Sequence, residues 1–175
     1  MPTHAVGCVT LEPVPSERRR ILDALMQLYL HDFSEYAPLG TPYGEVDEEG
    51  RFTHPALDAY WQEPGWRPFL VRADGSIAGF ALVNRWSALD RPLDHAVAEF
   101  FTLRKYRLAH VGTCAAQLLF DRLPGRWEVP VAAYNQGAIL FWRAVASKMR
   151  VRVEEHDGDG QRWQGPVLCF ATEVP

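Results

Sequence analysis

Residues 97–145 constrain the fold most. A short apolar strand over 97–103, carrying Val97, Phe100, Phe101 and Leu103, runs directly into Arg104, Lys105, Tyr106, Arg107, Leu108, Ala109 and His110, and a helix then begins near Gly112. A chain that leaves a strand and turns tightly into a helix aims several unpaired backbone N–H groups, and the positive end of the helix dipole, at one point. Arg104, Lys105 and Arg107 add full positive charges beside it. The pattern predicts an anion site whose guest is a phosphate or pyrophosphate carried by a cofactor.

The rest of the chain supplies the sheet and helices around that turn. Residues 7–14 read as a first strand, ended by Pro13 and Pro15, and Ser16 opens a helix over 17–33 with Ile21, Leu22, Leu25, Leu28, Tyr29 and Phe33 on one face. Residues 37–55 form a loop with Pro38, Gly40, Pro42 and Gly44 and the acidic Glu45, Asp47, Glu48 and Glu49. A short helix follows over 54–61. Strands at 69–72 and 77–83 flank Asp74-Gly75, a hairpin signal. After the strand bearing Glu99 come a helix from 112 to Pro124-Gly125, a strand over 127–134, and a helix over 135–148 that buries Ala138, Phe141, Trp142, Val145 and Met149. Strands at 150–156 and 165–172 close the chain. The order β, α, α, β, β, β, α, β, α, β, β implies a mixed sheet with helices on its faces, in one domain spanning 1–175.

Composition narrows the partners. With 18 Lys and Arg against 22 Asp and Glu, the net charge is −4, and Arg18-Arg19-Arg20, a solvated helix surface, is the longest basic run. A nucleic-acid backbone needs many clustered cations, so that partner is disfavoured. Cys8, Cys114 and Cys169 are odd in number and widely spaced, as reduced core thiols of a cytoplasmic protein would be. The first residues lack a charged start followed by an apolar run, and no segment approaches transmembrane length, so the expectation is a cytoplasmic protein without a membrane partner.

Two motifs now resemble the GCN5-related N-acetyltransferase (GNAT) superfamily. Residues 107–112 match the family's Gln/Arg-x-x-Gly-x-Gly/Ala loop at the first and last positions, Arg107 and Gly112, with His110 in place of the central glycine. Beginning at Asn135, residues 135–142 resemble the Asn-x-x-Ala-x-x-Phe-Tyr element, with Trp142 where tyrosine is common. The stretches 28–36 and 55–61 are similar to a less characterised bacterial subgroup of predicted acetyltransferases. The resemblance implies an α/β (α+β) fold whose mixed, mostly antiparallel central sheet has about seven strands with helices on both faces. It also implies acetyl-CoA as cosubstrate and a primary amine of a small molecule or peptide as acceptor. Homodimers paired through the final strands are common in that family.

On this resemblance, the backbone of Phe101 and Thr102 pairs with the pantetheine arm, and the amides of Leu108, Ala109, His110, Val111, Gly112 and Thr113 hold the pyrophosphate, with Arg107 beside them. Asn135 caps the last long helix or bonds the pantetheine chain. His110 is among the non-glycine residues that best tolerate left-handed geometry.

Acetyl transfer to an amine of pKa roughly 10.4 is helped by a base at neutral pH. Glu99 is the carboxylate best placed by sequence; strand alternation offers the competing reading, in which it points away. Trp142 has no proton to give near pH 7, which leaves Tyr134, Tyr106 or solvent as the acid, Tyr134 having the competing reading of a packed strand residue, and a backbone N–H near Thr102 as the oxyanion donor. The acidic residues 45–49 either draw a cationic amine or are simply solvated. His31, Asp32 and Glu35 share a helix face without a further histidine at ligand spacing, so they form a polar wall rather than a metal site. Tyr29, Phe33, Tyr36, Tyr60, Trp61 and Trp66 are core, with some lining the acceptor cleft. Two other readings compete. One is a catalytically degenerate acyl-CoA-binding or regulatory module; the other is a hydrolase, for which no Gly-x-Ser-x-Gly elbow exists.

Overall fold

A sheet of seven strands, in the order β1-β2-β3-β4-β5-β7-β6, divides two layers of helix. The computed structural model describes residues 6–40, 44–53 and 57–173. The strands are β1 (Val9–Pro13), β2 (Arg67–Ala73), β3 (Ser76–Asn84), β4 (His95–Thr102), β5 (Gly125–Pro130), β6 (Glu154–Asp157) and β7 (Pro166–Thr172). The helices are α1 (Arg19–Phe33), α2 (Ala59–Gln62), α3 (Val111–Arg122) and α4 (Gln136–Ala146). Neighbouring strands are antiparallel except β4 and β5, which run parallel.

Both faces are covered, so the central strands lose the usual alternation of apolar and polar residues. In β3 every residue from Ala78 to Asn84 is buried. Leu22, Leu25, Met26 and Tyr29 of α1 and Tyr60 of α2 pack on Leu70, Phe80, Leu82 and Phe101 on one face. On the other face, Ala116, Leu119 and Phe120 of α3 and Ile139, Trp142 and Val145 of α4 pack on Phe69, Val83, Val97, Trp127 and Phe170. Asp74 and Gly75 turn β2 into β3 with φ of 48° and 80°, the paired left-handed geometry whose twist suits a two-residue hairpin.

A bulge in β4 decides where Glu99 points. Leu82 pairs with Glu99 and Val83 pairs with Val97, so Ala98 is an extra residue. In an unbroken strand Glu99 would share the face of Val97, toward α3 and α4; the extra residue turns it to the side of α1. Regular alternation resumes beyond it, with Phe100 on the α4 side and Phe101 under Tyr29.

Several boundaries and burials differ from the sequence expectation. Leu28 is half exposed, and Met26 takes its place in the core. The fifth strand stops at Pro130, although the Val131 and Ala133 amides still donate to the Pro166 and Gln164 carbonyls, and Tyr134 lies in the turn before α4. The strand expected at 150–156 occupies Glu154–Asp157. Ala138, Phe141 and Met149 are half-buried rather than buried. The helix expected at 54–61 is seen as Ala59–Gln62, and residues 54–56 lie outside the described set. Of the three thiols only Cys169 is buried; Cys114 is intermediate and Cys8 is exposed, because Cys8 precedes the first strand.

Candidate active site

The parallel pairing between β4 and β5 ends after two residue pairs, His95 with Trp127 and Ala96 with Glu128. Beyond them β4 continues to Thr102 and β5 to Pro130 without pairing to each other, so the sheet forks in its middle. A cavity of about 980 Å³ passes through this fork. Its wall on the α1 side includes Tyr29, Asp32, Phe33, Glu35 and Tyr36, and its wall on the α4 side includes Asn135, Ala138, Phe141 and Trp142. Phe100, Phe101 and Thr102 form the β4 edge between them. Unpaired strand backbone facing an apolar cleft is suited to an extended amide chain that adds itself as a strand.

The loop before α3 closes one end. His110 sits at φ 59°, ψ 4° as the residue before the helix, and Leu108 is also left-handed at φ 64° and fully exposed. The first intrahelical bond runs from the Cys114 N–H to the His110 carbonyl. The amides of Val111, Gly112 and Thr113 therefore have no helical acceptor, and among the described residues the N-cap residue His110 makes no side-chain capping bond to them. By contrast, Asn135 caps α4, its Oδ1 accepting from the Ala138 N–H at 3.0 Å. An uncapped, dipole-positive helix end opening into a cavity suits a diphosphate. Gly112 is needed for close approach rather than for unusual φ: a Cβ there would lie 3.2 Å from the Phe141 ring and 3.4 Å from Thr102 Oγ1.

Two of the three expected cations line this cavity, and both are already engaged. Arg104 donates to Asp32 Oδ1 through Nη2 at 2.7 Å, and Arg107 Nη2 donates to Asp32 Oδ2. Arg107 Nε also donates to the Thr102 carbonyl at 2.9 Å, and its guanidinium lies over Phe101. Burial pushes the Asp32 carboxyl up, but the two guanidiniums outweigh it and hold the acid below its usual range. Lys105 instead lies over the ring of Tyr106.

Glu99 accepts a hydrogen bond from the hydroxyl of Tyr29, which belongs to α1. Tyr60 of α2 is close enough to feel the same charge: burial, and then the Glu99 carboxylate, push its phenol far up, against the effect of its hydrogen bond with Asn84. Tyr29 lines the large cavity; among the described residues Glu99 does not. Tyr134 is half exposed and packs against Tyr36, ring centroids 5.3 Å apart. Tyr36 is itself raised by a hydrogen bond to Glu35. Trp142 is buried among Phe100, Phe120 and Phe141.

Of the residues expected from sequence, Phe101, Thr102, Arg107, Leu108, His110, Gly112, Thr113 and Asn135 meet at the cavity wall. Ala109 and Val111 pack beneath, against Val71, Ala78 and Ala115. Residues 45–49 are not part of that wall; Asp47 orders its own loop by accepting from the Glu49 and Arg51 amides. The sequence reading missed Lys148, which lines the cavity, and the pairing of Tyr29 with Glu99. Helical spacing marks Tyr29 only as apolar-face, and nothing in the sequence announces Lys148. Among the described residues no group of His, Cys, Asp and Glu could hold a metal, and no helix is long and apolar enough to cross a membrane.

The overall fold is shared with known structures. An acetyltransferase of the GNAT family from Staphylococcus aureus Mu50 superposes with a TM-score of 0.61 at 10% identity, covering 95% of this chain and 100% of that one. The chain has the GNAT fold. Its likeness to the GNAT domain of S. lividans PAT (TM-score 0.59, 14% identity, covering 95% and 92%) extends over nearly the whole of both chains. The ribosomal-protein-S18-alanine N-acetyltransferase from Escherichia coli also aligns, with a TM-score of 0.53 at 11% identity over 95% and 94%. No protein-family model matches this GNAT-fold chain, and no curated protein matches it in sequence.

Proposed function

We propose that the chain is an N-acetyltransferase that moves an acetyl group from acetyl-CoA directly to a primary amine of a small molecule or peptide. The observation that carries this reading is the meeting of the forked β4 edge and the uncapped α3 terminus in one cavity. The residues fit the cosubstrate: amides of 111–113 and Arg107 suit its diphosphate, and the unpaired edge at Phe101 and Thr102 suits its amide-bearing arm. Acetyl-CoA supplies the activated acyl group, and the chain's own residues do the rest. Asn135 fixes the start of α4 beside the arm, and Glu99 is the base that removes the amine proton. Tyr134 is the phenol nearest the α4 terminus to protonate the departing sulfur. The Tyr29, Phe33 and Tyr36 rings favour an acceptor with an apolar or aromatic body.

One observation favours a second reading, an acyl-CoA-binding module without turnover: Trp142 stands buried where the fold usually offers a phenol. Thermal stabilisation by acetyl-CoA followed by a thiol-release assay over a panel of primary amines separates the two. Stabilisation with turnover supports the transferase, stabilisation alone supports the module, and no stabilisation removes both.

A further inference from the structure

Resting on that transferase reading, we infer that Tyr29 is the residue that touches the acceptor amine, and that Glu99 acts through it as the proton's destination. Glu99 has the charge expected of a base, yet its carboxylate stands behind the cavity wall. The wall at that point is Tyr29, held by α1 at 8% exposure, with its hydroxyl given to Glu99 Oε2. The ring is fixed by Phe33, Phe80 and Phe101, at centroid distances of 4.6, 5.6 and 5.7 Å. Tyr29 lines the cavity and directs its hydroxyl proton to the carboxylate, so an amine that reaches this oxygen meets a proton path already aimed at Glu99. The β4 bulge makes the contact, because in regular alternation Glu99 would share the face of Val97 and its carboxylate would point toward α4 instead of Tyr29.

An acceptor ammonium gives one proton to Tyr29 Oη while the Tyr29 proton passes to Glu99 Oε2. The nitrogen keeps the electron pair and forms the C–N bond to the acetyl carbon, and the C–S bond breaks with its pair on sulfur. Tyr134 gives the sulfur its proton, and the second nitrogen proton replaces the one Tyr134 has given up. The products are an amide, a thiol and a proton on Glu99, which the half-buried carboxylate returns to water.

Tyr29→Phe keeps the packed ring and removes only the relay. It should leave stabilisation by acetyl-CoA unchanged and lower kcat/KM at pH 7 about 10²-fold for the alkylamine with highest turnover in the panel, the low end of what positioned acid–base groups supply. That deficit should shrink as pH rises toward the pKa of the amine, since a neutral amine needs no base, and loss of packing alone would not restore activity with pH. Glu99→Gln should show the same deficit, and the double variant no further loss. Turnover by Tyr29→Phe equal to the parent overturns the relay, as does a deficit independent of pH or an additive double variant. Loss in Glu99→Gln alone means that Glu99 meets the amine directly. Absence of turnover by the parent with every amine instead overturns the transferase reading, and the relay with it.

Discussion

Arg107 and Asp32 join two elements far apart in sequence: a guanidinium from the loop before α3 donates to a carboxylate in the last turn of α1. A negative charge is unfavourable at a helix C-terminus, and Arg104 and Arg107 offset it together. An anion arriving at α3 competes with Asp32 for the same arginines. Asp32→Asn should therefore bind coenzyme A roughly three- to tenfold more tightly, or about 0.6–1.4 kcal/mol, by titration calorimetry. An unchanged Kd would show that the arginines do not serve the anion. The lowered folded pKa of Asp32 makes its contribution to stability complete above the unfolded value and lost as pH falls through the folded one, so Asp32→Asn should flatten the stability curve below about pH 4.

Gly112 lies against Phe141, where a Cβ would meet the ring at 3.2 Å and press it outward. Gly112→Asp should abolish stabilisation by acetyl-CoA, both by pushing α3 from α4 and by placing a carboxylate at the uncapped amides. Gly112→Ala keeps the charge and isolates the steric part; retention of full binding in Gly112→Asp would remove α3 from the diphosphate site.

The left-handed backbone of His110 is a strain that glycine relieves and a β-branched residue worsens. His110→Gly should be neutral to about 1 kcal/mol stabilising, and His110→Val destabilising by about 1–2 kcal/mol, in urea denaturation. Equal stability of the two variants would contradict the observed φ.

Glu128, 1% exposed, accepts from Ser87 Oγ at 2.9 Å, the Ala88 N–H at 2.8 Å and Arg91 Nε at 3.2 Å. Glu128→Ala orphans a buried hydroxyl and amide and should cost about 2–4 kcal/mol, read from the denaturation midpoint. At a temperature where the variant remains folded, its affinity for coenzyme A should be that of the parent, since Glu128 lies outside the cavity wall.

His95 donates through Nε2 to the Pro124 carbonyl at 3.2 Å, and its buried Nδ1 has no partner among the described residues. Burial pushes its pKa down, so the folded state resists the proton that the unfolded chain accepts near pH 6.5. Its stabilising effect is complete above that value and declines as pH falls toward the folded pKa. Urea midpoints at pH 7.5 and 5.5 should differ less in His95→Gln than in the parent.

The turn before α3 was legible because its signal is local: a strand, a basic turn and a helix start within residues 97–113 specify which amides converge. The hairpin at Asp74-Gly75 and the cap at Asn135 were readable for the same reason. Glu99 was not, because its direction depends on a one-residue bulge, and a register shift leaves no mark in the sequence of one strand. Nor was the joint capture of Arg104 and Arg107 by Asp32, which depends on how α1 lies across the sheet. Helical spacing showed that Asp32 and Glu35 share a face but could not name their partners. The apolar position of Leu28 misled in the opposite way, since a wide stripe on α1 includes a residue that the sheet does not reach.

Because the β4–β5 ladder has only two residue pairs, the backbone pairing between the halves of the sheet is a narrow waist beside Ala96. Any molecule lodged in the opening bridges β4 to α4 and stitches the two halves together. Occupancy should then be felt far from the pocket, as slower amide exchange in β5 and β7 and a single, sharper melting transition.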